Sequence, residues 1–144
     1  CDGCSKCCYL PWLLKEESLS QMDNFGKTVK EIDSIAFIMN STACKYAREN
    51  KCYLYADRPL DCRLFPLDII EEDGKYWWGI FTLCPKHKEI KNKLIPLIPK
   101  LEAVITPEIF DQYQKQIKIS KIIYSPYKLK QYEKIKRFRG GISH

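Results

Sequence analysis

The residues able to do chemistry in this chain are its eight cysteines: Cys1, Cys4, Cys7, Cys8, Cys44, Cys52, Cys62 and Cys84. Four of them crowd into the opening run Cys1-x2-Cys4-x2-Cys7-Cys8. Thiolates separated by two residues can grip one ion or one cluster, because the turn between them directs both sulfurs and nearby backbone N–H groups inward. The adjacent pair Cys7-Cys8 says more. Neighbouring side chains diverge in most backbone conformations, so the two either serve separate sites or face an object wider than a zinc ion. An even count first suggests disulfides. Such frameworks belong mainly to secreted chains with no other source of stability. Here the clustering, and enough apolar sequence for a core, point instead to reduced thiols holding metal in a reducing, cytoplasmic compartment.

Other donors are scarce. The chain has two histidines, His87 and the last residue, His144, so a closed site must be nearly all sulfur. Four thiolates suit zinc or iron–sulfur chemistry. Eight would complete two such sites, or one cluster with four thiols left over, and spacing alone leaves that partition open. The expected cofactor is an iron–sulfur cluster, 4Fe-4S first, with zinc as the alternative. Arg58 and Arg63 flank Cys62, and their guanidinium groups there would offset an anionic centre, donate to sulfur and raise its reduction potential. The ordinary alternative pairs them with Asp57, Asp61 or Asp68. His87, three residues past Cys84, has the type and position of a ligand, but its plain reading is a solvated histidine at a helix start. Glu16 and Glu17 read as ordinary surface acids.

The elements that must position these residues are short. Cys1–Cys8 reads as a loop wrapped around something. Lys27 to Asn40 carries Val29, Ile32, Ile35, Ala36, Ile38 and Met39, a spacing that predicts an amphipathic helix ending just before Cys44. Cys52 to Tyr55 reads as a short strand, and Cys62 to Pro66 as a second loop. Leu67–Ile70 and Tyr76–Leu83 predict a hairpin turning at Glu71-Glu72-Asp73-Gly74 and delivering Cys84. Of Trp77 and Trp78, which alternate across the second strand, one is expected in the core. A helix starting at Pro85 should hold His87 in its first turn and run to Leu94. Thr106 caps a further helix that has Pro107 at its first position, with an inner edge of Ile109, Phe110, Tyr113, Ile117 and Lys121. Tyr127 to Phe138 predicts one more helix.

The fold expected is α+β: a small loop-rich cysteine core with a short β-hairpin over residues 1–88, plus a helical, basic C-terminal extension over 89–144 packed on it. The net charge of +6 resides in that extension. Between Lys115 and Arg139 stand nine Lys or Arg and one acid, Glu133. These basic residues interleave with Tyr124, Tyr127, Tyr132 and Phe138, a pattern that can hold single-stranded nucleic acid or an acidic partner. Its plain reading is a solvated helix whose aromatics pack on the domain. No apolar run approaches the ~20 residues of a membrane span. A redox or enzyme partner protein is the other expected contact.

The opening Cys1-x2-Cys4-x2-Cys7-Cys8, then Cys44, then Cys52-Tyr53-Leu54-Tyr55-x2-Arg58-Pro59-x2-Cys62-Arg63-x-Phe65-Pro66, resembles the CxxCxxCC cysteine-cluster family. The resemblance spans residues 1 to about 88. Ser5 stands where a glycine is common in that family. The resemblance implies chelation of zinc or iron, and the family's relatives include flagellin lysine N-methylases. A methylase needs a site for a methyl donor, and no glycine-rich strand-to-helix turn is present. Metal binding is therefore implied more firmly than activity. Three readings follow: an iron–sulfur protein for electron transfer or serving a larger enzyme, a zinc-stabilised interaction module, and a cluster-dependent enzyme such as a protein lysine N-methylase.

Overall fold

The structure is a computed structural model that describes residues 12–25, 29–38, 47–48, 51–52, 58–82, 84–123 and 131–139. The chain divides into two compact units, Cys1–Phe65 and Pro66–His144. Cys62 belongs to the first and Cys84 to the second. Together the elements are α+β, with short antiparallel sheets and a mostly helical C-terminal part.

In the first unit, β1 (Trp12–Leu13) leads into α1 (Lys15–Phe25), followed by β2 (Val29–Ile32) and β3 (Ile35–Ile38). The strands form one antiparallel sheet in the order β1-β3-β2. Where a helix was expected over Lys27 to Asn40, the described residues 29–38 therefore form a hairpin. Its register pairs Val29 with Ile38 and Ile32 with Ile35. Asp33 and Ser34, both at positive φ (48° and 70°), form the two-residue turn. Turns of that handedness match the twist of paired strands. The apolar residues recur every third position because a four-residue strand, a two-residue turn and another strand happen to place Val29, Ile32, Ile35 and Ile38 so. Three of those four are isoleucine and the fourth valine, and β-branched side chains fit a pleated sheet better than a helix. Leu13, Phe25 and Ile38 form the buried cluster, with Val29 and Ala36 packed against it. A second, two-stranded pair, β4 (Ala47–Arg48) with β5 (Lys51–Cys52), and α2 (Leu60–Leu64) complete the described elements.

In the second unit, β6 (Leu67–Glu72), β7 (Lys75–Phe81) and β8 (Tyr132–Arg137) form a sheet with β7 in the centre. The β6–β7 hairpin is as expected and turns at Asp73 and Gly74, both at positive φ. Between β7 and β8 run α3 (His87–Leu94), a 3-10 turn (Ile95–Leu97), α4 (Ile98–Val104) and α5 (Pro107–Ile123). Thr106 Oγ1 accepts the Ile109 N–H at 3.2 Å and so caps α5. The inner edge of α5 differs from the expected one. Tyr113, Gln116 and Ile119 are buried, whereas Ile117 is half-exposed and Lys121 pairs at the surface with Glu71. Gln116 can turn inward because its amide donates to Ser120 Oγ one helical turn on.

The last element also departs from expectation. Within Tyr127 to Phe138, residues 132–137 are a strand and not a helix. The register jumps between Trp78↔Lys136 and Gly79↔Lys134, so Ile135 is the extra residue of a bulge. A bulge shifts the side-chain alternation by one. That shift lets Tyr132 and Lys134, before the bulge, share one face with Arg137 after it, the face of Trp77 and Phe81. Trp78 is the core tryptophan. Its ring meets Phe138 edge-on at 5.5 Å, Phe138 meets Phe110 at 4.9 Å, and Phe110 meets Tyr76 at 5.0 Å. The Trp78 indole N–H donates to Glu102 at 3.0 Å. Among the described residues, no helix is long and apolar enough to cross a membrane.

Candidate metal centre

Of the eight expected ligands, Cys1, Cys4, Cys7, Cys8 and Cys44 lie outside the described residues, and of Cys52 only the backbone, in β5, is described. Cys62 and Cys84 are placed in full. Each is a half-buried thiol. Sulfur that is neither fully buried nor bonded in a disulfide can be reached by a metal, which fits the expected donor chemistry. Among the described residues, no three His, Cys, Asp or Glu side chains gather around a common point.

Cys62 stands at the middle of α2, a helix of one and a half turns that does not stabilise itself. Its support comes from two carboxylates. Glu17 is the third residue of α1. One of its oxygens reaches back to the Leu14 N–H at 2.9 Å, the returning arm of a capping box. Its other oxygen accepts the Leu60 N–H at 2.8 Å, which is the first N–H of α2. Asp61, next to Cys62, accepts the Trp12 N–H at 3.2 Å. Buried Pro59 opens α2, and the Arg63 N–H bonds the Pro59 carbonyl at 2.9 Å. The backbone on the N-terminal side of Cys62 is thus held from both directions. Trp12 matters further because it lies four residues after Cys8. Trp12 itself is anchored on the residue beside Cys62.

Glu17 is therefore a positioning residue, tying α1 to α2, that sequence reasoning missed. The one available signal was Leu14-x-x-Glu17 at a helix start, and its partner Leu60 lies 43 residues away. Replacing Glu17 by alanine removes one cap bond and leaves the Leu60 N–H without its charged acceptor. The cost expected is about 2–3 kcal/mol, from the cap and from a lost hydrogen bond to a charged group. Hydrogen exchange should speed up at the Leu14 and Leu60 amides before it does in the rest of the unit. Unchanged exchange at Leu60 in the Glu17→Ala protein would rule the tie out.

Arg58 is half-buried just before α2, and Arg63 on its last turn is exposed. Asp68 accepts the N–H of the next residue, Ile69, at 2.8 Å and the Tyr132 hydroxyl at 3.3 Å.

Cys84 follows the end of β7. Its N–H donates to the Phe81 carbonyl at 3.2 Å, and its own carbonyl accepts the His87 N–H at 3.0 Å. His87 is the first residue of α3 and half-buried, and its ring Nδ1 lies 2.8 Å from that same carbonyl. It is not the freely solvated side chain expected from the sequence.

Much of the basic C-terminal segment is accounted for within the second unit. Lys134 pairs with Glu72, Lys121 with Glu71, and Glu133 with Lys91. Lys134 and Arg137 lie over the Trp77 ring, 5.1 and 5.6 Å from its centre. Lys118, Lys136 and Arg139 are exposed, and Lys128 and Lys130 lie outside the described residues.

The sequence profile of one family, CxxCxxCC, described as "Putative zinc- or iron-chelating domain", matches residues 1–94. No curated protein matches this chain, and neither does any solved structure.

Proposed function

The chain belongs to the CxxCxxCC family, and from that membership we propose that it is a metal-binding protein whose centre is a cysteine-ligated iron–sulfur cluster, of the 4Fe-4S type. The cluster carries electrons for a partner protein or serves a larger enzyme. The observation that supports this reading is the tie from Trp12 to Asp61. It sets Trp12, four residues after Cys8 in the sequence, against the helix that carries Cys62. The thiolates of Cys4, Cys7, Cys8 and Cys62 make four, the ligand number of a cubane cluster. The adjacent Cys7-Cys8 pair suits an object wider than one ion. Cys1, Cys44, Cys52 and Cys84 are further thiols for a second centre or for its surroundings.

The protein's own part is to hold and shield the group. Glu17 and Asp61 orient α2, so Cys62 has little backbone freedom left to lose when it binds. Arg58 and Arg63, on either side of Cys62, offset the negative charge of a thiolate-ligated centre. A bound cluster supplies one-electron chemistry. The thiols require a reducing setting, which is the reason to place the protein in the cytoplasm.

Zinc is the second reading, favoured by the turn from Cys84 to His87, whose side chains are both zinc-ligand types. One measurement separates the two. Protein purified without oxygen should be brown and contain iron and acid-labile sulfide in equal amounts, about four of each per cluster. Colourless protein holding zinc would replace the cluster by the second reading. Protein with neither metal would overturn both.

A further inference from the structure

The turn Cys84-Pro85-Lys86-His87 contains one hydrogen bond more than its backbone needs. The Cys84 carbonyl already accepts the His87 N–H at 3.0 Å, which closes the turn. The His87 ring adds a second contact, Nδ1 to the same oxygen at 2.8 Å. A carbonyl oxygen only accepts, so Nδ1 must carry the proton. In the neutral ring the lone pair then sits on Nε2, for which the structure records no partner among the described residues. The extra bond does nothing for the start of α3, where N–H groups and not carbonyls lack partners. What it does achieve is to choose the tautomer and lock the direction of the ring.

Metal-bound histidines are held in this way, with the nitrogen away from the metal donating to a backbone carbonyl or carboxylate. Spacing points the same way. A turn closed between residues i and i+3, with proline at the second position, brings the thiol of Cys84 and the imidazole of His87 to the two ends of one tight loop. Two side chains so spaced are suited to grip a single metal ion. We propose that His87 is a metal ligand through Nε2, acting together with Cys84 Sγ, with other donors filling the remaining positions. This rests on the metal-binding reading above and adds a nitrogen donor to a site otherwise read as sulfur. Because the imidazole is neutral, a centre using it carries one negative charge less than an all-thiolate one.

X-ray absorption at the edge of the bound metal tests this on the full chain purified without oxygen, because imidazole gives a scattering pattern that sulfur does not. The chain has one other histidine, His144, so assignment is simple. Wild-type protein and a His144→Ala control should both show an imidazole nitrogen, at ~2.0–2.1 Å if the metal is zinc. His87→Ala should lose that pattern and release metal to a chelator at least about tenfold faster, in line with the losses seen when metal-site partners are removed. His87→Cys should restore retention with an all-sulfur shell. An all-sulfur shell in wild-type protein, or an imidazole pattern that survives in His87→Ala, would overturn the inference and leave the metal-binding reading standing. Wild-type protein without bound metal would overturn both. The wild-type spectrum decides the matter even if a variant fails to fold.

Discussion

Replacing Cys7 and Cys8 together by serine is expected to strip the protein of nearly all its metal. Serine hydroxyls do not ionise at neutral pH, so two donors disappear from a centre that needs about four. Thiolate sites hold structural metal with apparent free energies of roughly 10–16 kcal/mol, a figure taken from zinc. Losing half of such a ligand set should lower occupancy to below about a tenth under competition from a chelator, an outcome of the same energetic scale. The consequence for folding should differ between the two units. In the first, the described buried side chains, Leu13, Phe25, Phe37 and Ile38 among them, come from one helix and strands of two to four residues, so metal loss should release much of its tertiary structure. The second has its own aromatic core around Trp78 and Tyr113 and should keep it. Elemental analysis with hydrogen exchange, resolved by unit, reads both effects. Full metal content in the double variant would refute the ligand assignment. Full protection of the first unit in metal-free protein would show that the metal does not hold it together.

The Trp78→Ala change is expected to be the most damaging single substitution in the second unit. Trp78 is fully buried, and truncating a buried tryptophan costs about 3–5 kcal/mol. It also removes the edge-on contact with Phe138 and leaves Glu102 without the indole N–H it accepts. Trp77→Ala is the informative control. That ring is half-exposed and its described contacts are the cations of Lys134 and Arg137, worth about 0.5–1 kcal/mol each at such sites. Urea unfolding should therefore separate the two variants by several-fold in lost stability. Equal losses would mean that the strand's two faces have been assigned the wrong way round. Metal content of Trp78→Ala, measured under native conditions, should stay near that of wild type.

These expectations draw on different depths of reading. The hairpin of β6 and β7 was visible in the amino acids, since Asp73-Gly74 supplies a turn that needs positive φ and the runs on either side are β-prone. So were the start of α5, where Thr106 and Pro107 have local roles, and the start of α3 just beyond Pro85. Each depends on neighbours only a few residues away. The metal reading has the same origin, because ligand spacing within the opening cysteine run is itself a local property, and the family match over residues 1–94 supports it.

Two segments concealed strands for reasons that only pairing exposes. In β2 and β3 the apolar residues recur every third position because a tight turn at Asp33-Ser34 interrupts two short strands. In β8 the bulge at Ile135 breaks the alternation, so Tyr132 and Lys134 share a face with Arg137 and no period of two runs through the segment. In both cases a neighbouring strand, β3 for β2 and β7 for β8, provides the hydrogen bonds that decide the conformation. A window along the chain does not contain that partner.

By itself, then, the sequence determined which residues could hold a metal and how they are spaced, together with the turns and caps next to them. Tertiary structure alone decided how the described segments around Cys62 and Cys84 are held. Glu17 looks like any acid on a helix until Leu60, 43 residues later, brings its N–H to the second carboxylate oxygen. Asp61 becomes an anchor only when Trp12 arrives from 49 residues earlier. His87 reads as a solvated helix start until the fold of its turn fixes the ring against the Cys84 carbonyl. The physical reason is the same each time. A residue's type fixes which bonds it can make, but a hydrogen bond is short and directional, so its partner is known only once the chain has brought the two together.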